Sequence, residues 1–528
     1  MSKLLLNNIK ISLDQSEDVA IEKAKKMLSA NKINPKKFDF SIFKKSIDAR
    51  DKKNILFVYT ILAITDDIIK LPSNSSIKLL SDDAINIKFG NEPLTHRPLI
   101  VGMGPAGMFS ALILAEQGYN PIIIDRGDNV ADRTVALESF IQTGILDTES
   151  NVQFGAGGAG TFSDGKLTTR INDDKCNYVL SRFVEFGAPE EILKKAKPHI
   201  GTDILTNVVQ NILNKIEELG GTVIYRCKMT NIIPSTDHVK VLTTKGEFCT
   251  TALVLAIGHS ARDTYRMLME KGFMVQPKPF SVGVRVEHLQ SDIDKALYGD
   301  YADHPKLPVG EYNLSDTSDT RGVYTFCMCP GGEVVPATSQ EFGVCVNGMS
   351  KFARDGKNAN CAVNVSVFTE DYGNDPIKGI EYQEDLEKRA YIAGGSNYNA
   401  PIQLMGDFID NKVSSQPSRI MPTYAGGSKT TVTNLNSVLP EYISKRLREG
   451  FTVFDRRIKG FAVKDAVLSG VETRTSAPIR ILRNDGFVSI SHPHVYPCGE
   501  GAGYAGGIMS SAVDGIRIAL AIIKKYKP

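Results

Sequence analysis

The sequence predicts an α/β protein assembled from several units, and three observations carry that prediction. A strand, a glycine-rich turn, a helix and a second strand follow one another from Arg97 to Asp125. A similar pattern returns near the other end of the chain as Val495–Cys498, Gly499–Gly507 and Ile508–Lys525. Between them, roughly Tyr265–Asn484, lie many turns and mixed strands with few clean periods. Alternating strand and helix patterns indicate a parallel sheet, and the mixed stretch indicates a second sheet of its own.

At 528 residues the chain is too long for one ordinary core. The expected division is 1–95, 96–264, 265–484 and 485–528, with the second and fourth segments forming one unit. Apolar residues make up 42%, enough for a large core. The 62 basic and 60 acidic side chains leave a net charge of +2, which gives no reason to expect nucleic acid or an anionic membrane as partner. Met1–Ser12 lacks a signal peptide's apolar run, and no run approaches the length of a spanning helix, so a cytoplasmic protein is the default expectation. The eight cysteines are scattered, unlike a disulfide framework, and no ligand spacing for zinc is evident, so no metal is expected.

Taken in order, the elements begin with a small α/β unit. Leu4–Ile11 and Asn54–Ile64 read as strands, Asp18–Ala30 has helical spacing, and Leu71–Ser76 breaks the pattern. No chemistry is evident there, and a packing or docking role is expected. Pro98–Gly102 then reads as a short buried strand, Gly104–Gly118 as a helix and Asn120–Asp125 as a second strand. A helix at Asn207–Leu219 precedes strands at Val223–Cys227, Val239–Thr244 and Phe248–Ile257.

Four motifs carry chemistry. In Gly102-Met103-Gly104-Pro105-Ala106-Gly107, the first glycine allows a tight turn out of the strand. The second lets backbone approach a pyrophosphate, and the third lets the helix pack against the strand. The helix N-terminus offers free N–H groups to phosphates, and Asp125 stands where an acid accepts from a ribose. The second motif, Phe154–Lys166, has four glycines in the six residues from Gly155 to Gly160. It suits a loop laying N–H groups along a flat or anionic ligand, through Gly158, Gly160 and Thr161. Lys166 there can set a positive charge beside an anionic ring edge. The third is the apolar run Thr250–Gly258, whose glycine stands at a strand's carboxyl end, where ligands collect in open α/β sheets. The fourth joins Gly499 and Glu500 to Gly506, Gly507 and Ile508: an acid able to bind sugar-alcohol hydroxyls, then a helix start able to stabilise negative charge. The first motif alone suits NAD as well as FAD. The distant fourth favours FAD, because a long extended flavin needs a second contact of that kind.

Motifs one, three and four in this order resemble single-dinucleotide-fold FAD oxidoreductases of glutathione-reductase type. More closely, Arg97–Ala519 resembles a bacterial group of largely uncharacterised FAD-dependent dehydrogenases. Val101–Met108, Gly157–Lys166, Cys327–Gly332, Val471–Arg480 and Gly499–Ile508 carry that likeness, with Lys45–Arg50 in the leading domain. The resemblance implies FAD along Gly102–Gly107, Asp125, Arg126 and Gly499–Ile508, but no substrate. The expected fold is therefore α/β: a Rossmann-like FAD-binding domain with an interleaved mixed-sheet substrate domain and a small N-terminal α/β domain.

A flavin would carry the redox chemistry, leaving the protein few catalytic tasks. Cys327 and Cys329 precede a glycine turn able to lie against a flavin ring. Cys329 is the candidate redox thiol, and a buried structural cysteine is the alternative the residue type favours. Arg474 and Arg480 can hold a substrate carboxylate bidentately or stand on the surface. His259, His492 and His494 lie near strand ends and can move protons, although a structural role is the more common one. No second strand–GxGxxG–helix pattern occurs, so a dedicated NAD(P)H domain is not expected. Electrons would come from transient NAD(P)H, the substrate or a redox partner protein. The favoured reading is hydride transfer between flavin N5 and a small or apolar organic molecule. The rivals are a flavoprotein monooxygenase, an FAD-dependent RNA-modifying enzyme and a non-catalytic flavin-binding partner protein.

Overall fold

The computed structural model describes residues 2–69, 76–80 and 87–528. Of the expected break at Leu71–Ser76, all but Ser76 lies outside the described residues. The N-terminal segment forms an antiparallel sheet in the order Asp39–Asp48, Leu56–Thr65, Ser2–Ser12, Ile77–Leu79. The helix Glu17–Ala30 buries Ala20, Ala24 and Leu28 into this unit's core. Asp39–Asp48 was not foreseen: its apolar residues are only half buried, and Lys44 and Lys45 interrupt it, as befits an edge strand. That edge continues into the rest of the chain, because the Lys45 N–H donates to the Lys194 carbonyl at 2.7 Å.

The next unit is a five-stranded parallel sheet ordered Val495–Pro497, Leu253–Leu255, Leu99–Val101, Ile122–Ile124, Thr222–Ile224. Strand residues alternate between two cores. Ile100, Ile123 and Val254 face the helices Pro105–Glu116, Thr202–Glu218, Lys175–Glu185 and Ile508–Lys525. Leu99, Val101, Leu253 and Leu255 face an antiparallel sheet of Met229–Pro234, Val239–Thr243 and Gly246–Thr250, together with the helix Arg262–Glu270. Burial on both faces is why these strands read as continuous apolar runs.

The middle of the chain builds a seven-stranded sheet ordered Ser315–Asp316, Val323–Cys329, Asn358–Val367, Phe280–Leu289, Val467–Glu472, Ala400–Leu404, Thr430–Val432. Val282, Val284 and Val286 enter a core with the helices Pro376–Ala393 and Glu441–Arg457. On the other face of Phe280–Leu289 stand the polar residues Ser281, Arg285 and Glu287.

Two expectations are corrected. Phe248–Ile257 is two strands in two different sheets, Gly246–Thr250 and Leu253–Leu255. The boundary expected at residue 265 falls inside the helix Arg262–Glu270, and Val275–Pro277 pairs with Ile479–Ile481. The helices Val130–Thr143 and Lys175–Glu185 had not been read from the sequence. Among the described residues no helix is long and apolar enough to cross a membrane, and no His/Cys/Asp/Glu group could hold a metal ion.

Candidate functional site

The carboxyl ends of four parallel strands and the polar face of the seven-stranded sheet enclose a cavity of about 1020 Å³. Gly102, Gly104, Pro105 and Ala106 form one part of its wall, Gly158 and Gly160 another, and Ala256–Ser260 a third. Glu500 and Gly506–Ile508 close it on the C-terminal side. Ser281, Cys327, Met328, Asn364, Glu472 and Arg474 face it from the second sheet and its flanks.

The first glycine turn is fixed by contact distances. Gly102 has φ of 105° and its N–H donates to the Ile124 carbonyl at 2.8 Å. A Cβ on Gly107 would stand 1.9 Å from the Gly102 carbonyl oxygen, so helix and strand touch backbone to backbone. Asp125 reaches the wall, and its carboxylate organises the turn: it accepts from the Met103, Gly127 and Gly155 N–H groups at 2.8, 2.9 and 3.0 Å. Met103 itself is buried behind the wall. Arg126 corrects an expectation. Its guanidinium is outside the cavity lining, bound to Glu149 at 2.7 and 2.9 Å and to Asp263 at 2.8 Å, over the Phe154 ring. Four charge-assisted bonds occupy four of its five N–H donors, all of them to protein carboxylates outside the cavity lining.

The second glycine loop passes close to the first, since a Cβ on Gly158 would lie 2.9 Å from the Gly104 Cα. Thr161 is buried and donates to the Ala156 carbonyl, holding the loop rather than facing the cavity. Lys166 faces the cavity, pairs with buried Asp164 at 3.0 Å and donates to the Met328 carbonyl. Burial opposes its charge, but Asp164 and the thiols of Cys329 and Cys327 outweigh it, so its pKa is raised. Arg354 also binds Asp164, which stays a carboxylate despite its burial.

Glu500 lines the far wall, where burial pushes its carboxyl up to about 7. Gly499 instead packs under the first helix: a Cβ there would lie 2.7 Å from the Ala106 Cβ. The helices Pro105–Glu116 and Ile508–Lys525 cross tightly, with the Gly515 position 2.1 Å from the Ala106 carbonyl when a Cβ is added. Their N-cap residues, Gly104 and Gly507, both line the cavity, so two positive helix ends meet there.

The candidate catalytic residues fall differently. Cys329 is fully buried behind the wall, and of the two neighbouring cysteines it is Cys327 that faces the cavity. Arg474 is neither on the surface nor free: it is buried and donates to both Glu387 oxygens, at 3.0 and 2.7 Å. Arg480 donates to the Gly503 carbonyl. Among the histidines only His259 lines the cavity, and burial followed by Arg474 and Arg262 pushes its pKa down to about 3, keeping it neutral. His494 lies between the Thr251 and Thr236 carbonyls, and His492 packs on Phe273.

Sequence reasoning missed Glu472. It lies on the wall, its carboxyl pushed up to about 7 by burial against the pull of Arg285, which it meets at 2.9 Å. A signal was present: in Val284-Arg285-Val286-Glu287 charged residues alternate with valines, marking a polar sheet face turned towards something other than a core.

A glycine-lined cavity at parallel strand ends, with two helix N-termini turned into it, is the architecture of a nucleotide-cofactor protein. Residues 279–475 match the family model described as "FAD-dependent protein, C-terminal domain-like", and residues 1–63 match a domain of unknown function, DUF8436. An uncharacterised protein of Clostridium beijerinckii (strain ATCC 51743 / NCIMB 8052) is 46% identical over 529 residues, covering 99% of this chain and 98% of its own. The chain belongs with it to one family of FAD-dependent proteins. Among solved structures, glycine oxidase from Geobacillus kaustophilus overlaps with a TM-score of 0.34 at 11% identity, covering 82% of this chain and 96% of that one. CtdE in complex with FAD overlaps with a TM-score of 0.33 at 11% identity, covering 81% and 84%.

Proposed function

We propose that the protein is an FAD-dependent oxidoreductase that moves a hydride between flavin N5 and a small or apolar organic substrate. The observation that carries this reading is a cradle lined by missing side chains. A Cβ placed on Gly258, Gly506 or Gly507 meets no atom within 4 Å, and all three positions line the cavity. Gly258 and Gly507 take φ of 72° and 84°, where the backbone itself favours glycine, whereas Gly506 has no such need and still faces open space, as a residue standing against a ligand does.

The donor set fits FAD. The turn Gly102–Gly107 and the N-terminus of Pro105–Glu116 would hold the pyrophosphate. Glu500 would accept from ribityl hydroxyls, and the N-terminus of Ile508–Lys525 would face the pyrimidine side. The bound flavin supplies two-electron chemistry at N5. The chain's own residues position and insulate. Asp125 fixes the turn through three backbone N–H groups. Neutral His259 and Glu472, which holds a proton near neutral pH, stand on the wall with proton capacity. Arg474 and Glu387 hold the wall's own charge in a closed pair.

The test is anaerobic. Purified protein should be yellow, and its flavin band should bleach with NADH, NADPH or one member of a metabolite panel. Protein that purifies colourless and takes up no FAD sinks the reading. NADPH consumption only with substrate and oxygen together would replace the dehydrogenase by a monooxygenase.

A further inference from the structure

Two thiols that hydride transfer does not use lie side by side at this cavity. Cys327 faces it, Cys329 lies fully buried behind, and their sulfurs are 4.0 Å apart. The backbone is shaped at this point. The pairing of Val323–Cys329 with Asn358–Val367 shifts register between Phe326 and Cys329, and Cys327 takes φ of 44°. In a regular strand the Cα atoms of residues i and i+2 are about 6.7 Å apart, near the upper limit for a disulfide. A bulge with a left-handed residue shortens that span, and a non-glycine residue in that conformation is uncommon.

A cation stands on each side, Lys166 paired with Asp164 and Arg285 paired with Glu472. Lys166 holds the Met328 carbonyl between the two cysteines. Arg285 donates to the Cys329 sulfur at 3.4 Å and to the Cys327 carbonyl. The contact with Cys329, helped by Lys166 and Arg285, pulls the Cys327 thiol well below its ordinary value. The Cys329 thiol is driven well above by Cys327 and by burial. Of the two thiols, the one on the cavity side is thus the more readily ionised. The neighbouring Cys361 shows the contrast: burial pushes it up to about 12.

We infer that Cys327 and Cys329 form a redox-active dithiol that exchanges two electrons with the flavin bound in the same cavity. The inference rests on the FAD reading above. In the forward direction the two thiols lose two electrons and two protons, one S–S bond forms, and FAD becomes FADH2. In the reverse direction FADH2 returns both electrons and both protons, and the S–S bond breaks. The holoprotein then stores four electrons where a flavin alone stores two.

The experiment is an anaerobic dithionite titration of holoprotein first oxidised with diamide and freed of excess reagent. Wild type should take four electrons per flavin, and Cys327→Ser and Cys329→Ser should each take two. Wild-type protein should also lose about 2 Da in the segment carrying both cysteines after diamide treatment, one S–S bond replacing two S–H groups. Flavin-loaded wild type that takes only two electrons and keeps its mass overturns the dithiol and leaves the FAD reading standing. If the protein binds no FAD, that reading fails by itself. A segment mass unchanged by diamide then overturns the dithiol as well, whereas the 2 Da loss keeps the dithiol. Two serine variants guard against misfolding at buried Cys329, since Cys327 faces the cavity.

Discussion

Arg262, at the start of a helix packed on the parallel sheet, donates from both terminal nitrogens to the carboxylate of Glu387, at 2.9 and 2.8 Å, on the helix Pro376–Ala393. Arg474 closes on the same carboxylate from the cavity side. All three side chains are almost completely buried, so the parallel unit and the seven-stranded unit are tied by a charge cluster rather than by apolar contact alone.

Glu387→Gln leaves two buried guanidinium groups with no counter-charge. It should lower the free energy of unfolding by about 3–5 kcal/mol, read from urea melts. Its neighbours hold the Glu387 carboxyl well below the ordinary range despite burial. For an acid whose folded pKa is depressed, the stabilisation is present above the unfolded value, about 4.3, and is lost only as pH falls below it. The difference between wild type and variant should therefore be flat from pH 5 to 8 and shrink in stronger acid.

Gly506→Val should separate binding from folding. The added side chain enters the cavity where no protein atom stands within 4 Å. The apoprotein should keep its stability to about 0.5 kcal/mol, as for a substitution that touches nothing. FAD affinity, followed by flavin fluorescence, should fall at least about tenfold, or 1.4 kcal/mol. Unchanged affinity would remove the C-terminal glycines from the cofactor site.

Gly107→Ala should do both kinds of damage. Its Cβ would stand 1.9 Å from the Gly102 carbonyl oxygen, and backbone on both sides must part to admit it. Overpacking of this kind lowers stability by about 1–3 kcal/mol. FAD retention should fall with it, because the moved turn is the one proposed to hold the pyrophosphate. Thermal melts and the flavin content of the purified protein check both.

FAD affinity should rise between pH 6 and 8. Burial pushes the Glu500 carboxyl up to about 7, with the Gly507 N–H and Lys278 pulling the other way. An acid with a raised folded pKa stabilises the apoprotein fully below its unfolded value, and that contribution fades as pH rises through about 7. The ionised form is the stronger acceptor for ribityl hydroxyls, so binding releases a proton and tightens as pH rises. Glu500→Gln should flatten this profile.

Much of the site was legible because its chemistry is local. The glycines of Gly102–Gly107 and the helix Ile508–Lys525 follow from spacing over a few residues, and that helix begins and ends where its pattern does. What was not legible depends on partners distant in sequence. Arg126 looked like a cofactor contact because Glu149 and Asp263, which claim it, lie far along the chain. Arg474 looked like a substrate clamp because Glu387 stands 87 residues away. The break inside Phe248–Ile257 carries no glycine or proline. A single hydroxyl makes it: the Thr250 Oγ1 accepts from the Ala252 and Leu99 N–H groups and donates to the Arg97 carbonyl. The polar face of the seven-stranded sheet was visible only as charges among valines, a pattern that reads as poor periodicity until both faces are known to be buried.

The tight crossing of the helices at Ala106 and Gly515 also sets a timetable for biosynthesis. A ribosome releases the first glycine turn and its helix long before Val495–Lys525 exists. Until then Leu253–Leu255 is an unpaired sheet edge, and the Ala106 flank of the first helix lies bare. The N-terminal sheet can close early on a core that lacks only Tyr298 among its buried members, whereas the parallel-sheet unit must wait as an open template with an apolar groove. The nascent chain thus passes through a long interval in which holding it apart from its neighbours matters more than helping it fold.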